Sequence, residues 1–235
     1  MRRKWGTIRA CSTCVEWANK FQIRSGAAVL DIGTSEFFCA DDPASLNRFL
    51  VHFGAKPYAD DELRRMAERT FAADLFLRAG LAYQAIDITP YPHTLPLDLN
   101  ADSLPFWWRG RYSLVTNCGT TEHVLNQYNA FKLIHDATAV GGLMYHGVPM
   151  SGEFGHGFIS YNPQFFTRLA EVNGYEVVRL WGWASEEAHP HEETEKIPFN
   201  CPFASQDAYV HVLLRRSSKG RFRGPSDCIG WPPAP

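Results

Sequence analysis

Four short apolar runs, most of them separated by stretches with helical spacing, constrain this chain more than any other feature. They are AAVLDIG (27–33), LAYQAIDI (81–88), RYSLVTNCG (111–119) and GGLMYHGVPM (141–150). A run such as AAVLDI has no polar face, which is how a strand buried on both sides reads. Helical stretches lie between and after the runs. Residues 43–53 open at Asp42-Pro43 and end at Gly54, and residues 60–79 open at Asp60-Asp61 and end at Gly80. Further helices are expected over 121–138 and Pro163–Asn173. Strands separated by helices predict an α/β fold, a Rossmann-like parallel sheet with helices on both faces. The runs YEVVRLWGW (175–183) and DAYVHVLLRRS (207–217) have no helix between them, so a C-terminal antiparallel strand should finish the sheet. A short extended piece is expected at Leu95–Leu99, and an amphipathic helix over 5–22.

The expected organisation is an N-terminal helix within 1–26 covering the site, a core over 27–217 and a flexible tail over 218–235. Two insertions, 34–80 (a helical insertion after the first strand) and 184–205, leave strand ends where loops carry specificity, so they are expected to cap a small ligand. Phe37, Phe38, Phe49, Phe53, Phe71 and Phe76 either line that cap or pack its helices. Composition bounds the partner. With 23 basic against 25 acidic residues the net charge is −2, so no global positive field favours nucleic acid. No apolar run approaches the roughly 20 residues of a membrane span, and MRRKW is followed by no signal-peptide core. A cytoplasmic protein without membrane contact is expected, and its oligomeric state is not legible. Cys11 and Cys14 form a single CxxC, more readily two packed thiols than a zinc site.

In an open α/β sheet, ligands bind beyond the carboxyl ends of the strands. The residues there are Asp31, Gly33 and Thr34, then Asp87 and Ile88, Asp98 and Leu99, Asn117 and Cys118, and His146. Carboxylates at strand tips are poor phosphate cradles but good acceptors for ribose hydroxyls and an adenine amino group. The chain has neither G-x-x-x-x-G-K-[ST] nor the G-x-G-x-x-G of a dinucleotide site. A nucleoside ligand without a phosphate chain fits these stations best.

VLDIG (29–33), QAIDI (84–88), LDLNADSLPF (97–106), YSLVTNCGTTEHV (112–124) and VGGLMYHGVP (140–149) follow one another in the order of the motifs of class I S-adenosylmethionine-dependent methyltransferases, and the chain resembles that family over about 27–216. The resemblance implies S-adenosyl-L-methionine as cofactor and S-adenosyl-L-homocysteine as product. It implies that Asp31, Gly33 and Thr34 line the methionine side, that Asp87 with Ile88 takes the ribose, that Asp98 and Leu99 take the adenine, and that Asn117 with Cys118 lies beneath the methionine. The family's first loop usually carries two or three glycines. Only Gly33 is present here, so the Thr34 or Ser35 hydroxyl is expected to hold part of the cofactor.

The expected activity is methyl transfer to an oxygen or nitrogen of a small molecule, a sugar or specialised metabolite. The alternative is a non-catalytic nucleoside-binding or scaffold protein on the same fold. Transfer to a hydroxyl or ammonium group needs a base, and the candidates are Glu122, His123, His146 and His156, with His156 or His146 preferred. His156 lies in GHGFISYNP (155–163), which resembles a segment bordering the acceptor pocket in sugar and small-metabolite methyltransferases. Glu122-His123 is similar to a pair in quinone-biosynthesis O-methyltransferases, which use a further Glu three residues earlier for a metal. Here that position is Gly119, so no metal is expected. His189 and His191 with Glu192 and Glu193 read as a solvated surface loop.

Overall fold

The computed structural model describes residues 23–37, 42–152, 155–184 and 208–226. The expected N-terminal helix with Cys11 and Cys14, Phe38, nearly all of the 184–205 insertion and the end of the tail lie outside them. The chain forms two compact units, Met1–Leu97 and Asp98–Pro235.

The first unit is built on β1 (Ala28–Ile32), β4 (Ala82–Asp87) and β5 (Thr94–Pro96), with β4 in the middle and both pairings parallel. Val29, Leu30 and Ile32 are fully buried, as the unbroken apolar run requires. Helices α1 (Ala44–His52), α2 (Asp60–Glu68) and α3 (Ala72–Arg78) occupy the segment between β1 and β4. The helix expected over 60–79 is therefore two. Arg69 is extended, and Thr70–Phe71 (β3) pairs antiparallel with Glu36–Phe37 (β2). A β-branched and an aromatic residue favour the ladder over continued helix, and the Arg69–Glu36 ion pair closes the same corner. Phe37, Phe49 and Phe76 are almost wholly buried, with Phe76 5.4 Å from Phe49 and 5.6 Å from Tyr83 between ring centroids. Of the two readings of these aromatics, core packing holds for these three.

The second unit contains β6 (Tyr112–Cys118), β7 (Thr138–Ser151), β8 (Glu176–Ala184) and β9 (Ala208–Arg215) in the order β6-β7-β9-β8. β6 and β7 are parallel, and β9 runs antiparallel to both β7 and β8. The single helix expected over 121–138 is a 3₁₀ turn at Thr121–His123 followed by α4 (Gln127–Ala137). The Asn126 side chain accepts from the Asn129 backbone N–H at 3.1 Å, so the helix starts there. α5 spans Pro163–Asn173, with the Asn162 side chain capping the Gln164 N–H and Pro163 in the first turn.

The described part of the expected tail is tied to this unit. Arg216 Nη1 donates to the carbonyls of His135 and Thr138 at 2.8 and 2.7 Å. His135 Nε2 donates to the Gly220 carbonyl at 3.0 Å, so its Nδ1 accepts from Tyr175 Oη at 2.5 Å. The Arg223 backbone N–H and carbonyl meet both ends of the Asn173 amide at 2.8 and 2.9 Å. Phe222 is buried beneath them.

Candidate active site

In the first unit the site residues surround the turn after β1. Gly33 has φ +81°, a left-handed conformation that costs glycine nothing, and its N–H donates to the Ile86 carbonyl at 2.7 Å. Chain reversal immediately after Ile32 brings Thr34 back onto β4, where its N–H donates to Asp87 Oδ2 at 2.9 Å. Asp87 Oδ1 accepts from the Thr89 N–H at 2.9 Å. A carboxylate has about four lone-pair sites, so Asp87 retains acceptor capacity on both oxygens. Ile88 beside it is 76% exposed, a large apolar side chain facing solvent at a strand end.

Asp31 is differently placed. It is 1% exposed and accepts from Ser35 N at 3.0 Å, Ser35 Oγ at 3.1 Å and Tyr83 Oη at 2.9 Å. Its carboxylate braces the loop from below. The hydroxyls expected to hold cofactor are engaged within the protein as well: Ser35 Oγ by Asp31, and Thr34 Oγ1 by Thr94 Oγ1 at 3.2 Å. With a single glycine, the loop keeps its shape through these side-chain bonds rather than through extra backbone turns.

In the second unit Asp98 and Leu99 begin a turn. Asp98 Oδ1 accepts from Asn100 N and Nδ2 at 2.8 and 3.1 Å, and the Asp98 N–H donates to Asp102 Oδ2 at 2.7 Å. Leu99 is buried and its carbonyl accepts from Asn129 Nδ2 at 2.9 Å. At the end of β6, Asn117 is fully buried and fully used. Its amide donates to Thr121 Oγ1 at 2.8 Å and His146 Nδ1 at 3.1 Å, and its Oδ1 accepts from the Thr121 N–H at 3.2 Å. Cys118, half-buried, follows it and aligns with Gly147 of β7.

The Asn117 bond fixes the His146 tautomer. An amide N–H₂ only donates, so Nδ1 accepts and Nε2 carries the proton. His146 is 1% exposed between Phe131 and Phe166, with ring centroids 5.3 and 5.2 Å away, and burial pushes its imidazolium pKa down to about 3. An imidazole so buried, with its lone pair engaged, holds β6, β7 and the 3₁₀ turn together; its Nδ1 has no lone pair left for an acceptor's proton.

Glu122 and His156 do come together, and His123 joins them. Glu122 is wholly buried, its Oε1 is 3.6 Å from His156 Nε2, and the His156 side chain is 47% exposed. The His123 and His156 rings meet edge-to-face at 4.7 Å. Burial, reinforced by the neighbouring His156, lowers the His123 pKa. The GHGFISYNP segment is clamped onto the 3₁₀ turn by its backbone, since the N–H groups of Phe158 and Ile159 donate to the Glu122 carbonyl at 2.7 and 3.2 Å. Below, Tyr161 Oη donates to Gln127 Oε1 at 2.5 Å, and Gln127 Nε2 donates to the Thr121 carbonyl at 2.7 Å. Gly157, at φ +70°, makes the approach possible, because a Cβ there would lie 2.9 Å from Glu122 Cγ. Sequence reasoning singled out the Glu122-His123 pair and His156 separately. It did not bring them together, and it missed that Gln127 and Tyr161 support them, because only the fold closes the gap between the two segments.

No protein-family model and no curated protein matches the chain. Solved structures do. A putative sarcosine dimethylglycine methyltransferase from Galdieria sulphuraria is 12% identical with a TM-score of 0.50, covering 89% of this chain and 86% of its own. A putative methyltransferase of Haloferax volcanii, in complex with the Trm112 methyltransferase activator, is also 12% identical with a TM-score of 0.50, covering 89% of this chain; the share of the matched chain is 91%. At that identity the likeness is one of architecture: the chain has the Rossmann-like fold that these two methyltransferase structures share.

Proposed function

We propose that the protein is a methyltransferase that uses S-adenosyl-L-methionine and moves the methyl group to an oxygen or nitrogen of a small molecule, releasing S-adenosyl-L-homocysteine. The observation that carries this reading is the group Glu122, His123 and His156, one buried carboxylate against two exposed imidazoles at the carboxyl end of β6. In a chain of this fold, such a group supplies acid–base chemistry where ligands bind.

The cofactor, when bound, supplies an electrophilic methyl on a sulfonium, and the rest falls to the protein. Asp87, with acceptor capacity on both oxygens, takes the ribose hydroxyls, and Ile88 offers an apolar surface beside it. Asp98 and Leu99 take the adenine, while Gly33 with Thr34 and Asn117 with Cys118 shape the methionine side through their backbone. Asp31 acts through Ser35. His156 accepts the acceptor's proton at Nε2, with Glu122 Oε1 3.6 Å away. A small acceptor in a cytoplasmic protein accords with the near-neutral charge and with the absence, among the described residues, of a helix long and apolar enough to cross a membrane.

Isothermal titration with S-adenosylmethionine and S-adenosylhomocysteine tests the reading, and no binding of either at millimolar concentration overturns it. Asp87→Ala should weaken binding by about 1–3 kcal/mol through loss of charged hydrogen bonds. A second reading, nucleoside binding without turnover, is favoured by the engagement of Asp31, Thr34 and Ser35 within the protein. Methyl-donor turnover against a metabolite pool separates the two.

A further inference from the structure

We propose that Glu122, His123 and His156 hold a divalent transition-metal ion of the zinc, cobalt or manganese class. Each offers one ligand atom, and the three atoms all lie within 4.8 Å of one another. One carboxylate with two imidazoles is a donor set for borderline cations; calcium or magnesium would call for oxygen ligands alone. Metal–ligand bonds of about 2.0–2.2 Å place neighbouring donor atoms roughly 3–3.5 Å apart. The Glu122–His156 separation of 3.6 Å is already near that spacing. The remaining closure falls on His123 and His156, whose exposed imidazoles turn about their side-chain torsions.

Two further features make this a built site. The backbone of the partner segment is fixed by the Phe158 and Ile159 N–H bonds to the Glu122 carbonyl, so His156 is held in register with Glu122. Glycines surround the carboxylate. Gly157 would carry a Cβ 2.9 Å from Glu122 Cγ, and Gly119, at φ +74°, would carry one 3.3 Å from Glu122 Oε1. The position at which sequence reasoning found a missing ligand is thus a glycine packed on the carboxylate itself, and His156 supplies the third donor.

The two imidazoles face solvent, so the outer coordination positions stay open to water or to an oxygen of the acceptor. With a cation in place His156 Nε2 would be a ligand, and the cation would acidify a bound acceptor hydroxyl so that its proton passes to solvent water rather than to the imidazole. That role rests on the methyltransferase reading; binding of the ion does not.

The test is titration of Co²⁺ and Zn²⁺ into chelator-stripped full-length protein, followed by calorimetry and by the visible d–d absorption of cobalt. The expected result is one ion per chain with a cobalt spectrum showing nitrogen ligation. His156→Ala and His123→Ala, both at exposed positions, should each weaken binding by at least roughly tenfold. Glu122→Gln should do the same, with circular dichroism as the folding control. The double variant His189→Ala/His191→Ala should retain the site. Absence of binding, or binding lost in the His189/His191 variant and kept in His156→Ala, overturns the proposal. S-adenosylhomocysteine titrated into the same stripped protein separates the two readings: its binding without metal binding sinks the metal site alone, and metal binding without it sinks the methyltransferase reading alone.

Discussion

Two carboxylates near the ends of parallel strands, Asp31 within the last residues of β1 and Glu122 after β6, are both almost inaccessible to solvent, yet they are built for different purposes. Asp31 is surrounded by donors from its own neighbourhood, Ser35 four residues on and Tyr83 on the adjacent strand. Every one of those bonds stabilises the charged form, so the group is a brace. Glu122 instead faces two titratable imidazoles, one adjacent in sequence and one brought in by a separate loop. Burial alone therefore does not distinguish a structural acid from a chemical one. The nature of the surrounding donors does: backbone N–H and hydroxyl groups fix a carboxylate, whereas imidazoles exchange protons or bind cations with it.

Asp31→Ala should have the largest effect on stability. It removes the acceptor of the Tyr83 hydroxyl and of the Ser35 N–H, and a loss of about 3–5 kcal/mol is expected from chemical denaturation. If the cost is below about 1 kcal/mol, the brace reading of Asp31 fails and the contrast with Glu122 disappears.

Acid should destabilise the second unit through His146. Its folded pKa of about 3 lies below the unfolded value near 6.5, so the native state binds fewer protons than the unfolded state between them. The stability it contributes is complete above pH ~6.5 and is lost as pH falls toward ~3, at a slope approaching about 1.4 kcal/mol per pH unit. His146→Asn keeps an acceptor for Asn117 and should flatten that limb. An unaltered limb would show that another group governs acid unfolding.

Gly157→Ala forces a left-handed backbone and a Cβ into Glu122, for an expected loss of about 1–3 kcal/mol. More tellingly, it should reduce turnover and metal affinity while leaving S-adenosylhomocysteine binding intact, because its damage falls on the Glu122 group. Equal loss of all three would mean that the substitution unfolds the unit. His135→Phe should have the smallest effect, about 1–2 kcal/mol from the lost Gly220 bond and the Tyr175 contact. Limited proteolysis should then open residues 218–226 first, with catalysis unchanged.

Much of this was legible along the chain. The apolar runs specified the strands because a run without a polar face has only one environment in which it is stable. Asp42-Pro43, Gly54, Asp60-Asp61 and Gly80 marked helix ends through local backbone chemistry. Two helices were read too long. At Arg69–Phe71 the pairing with Glu36–Phe37 outweighs helix propensity, and at Val124–Asn126 the Asn126 cap restarts the helix after the 3₁₀ turn. Propensity registers neither, since both depend on partners away from the segment.

The sequence by itself determined the α/β class, the order of strands and helices, and which residues stand at strand ends, because burial periodicity and turn chemistry are local properties of the chain. Tertiary structure decided what those residues do. It turned Asp31 and Asn117 inward as braces, buried His146 beyond the reach of an acceptor's proton, and set His156 against Glu122 and His123. The physical reason is that a side chain's chemistry depends on the dielectric and the donors around it, and those are supplied by residues that only folding brings near.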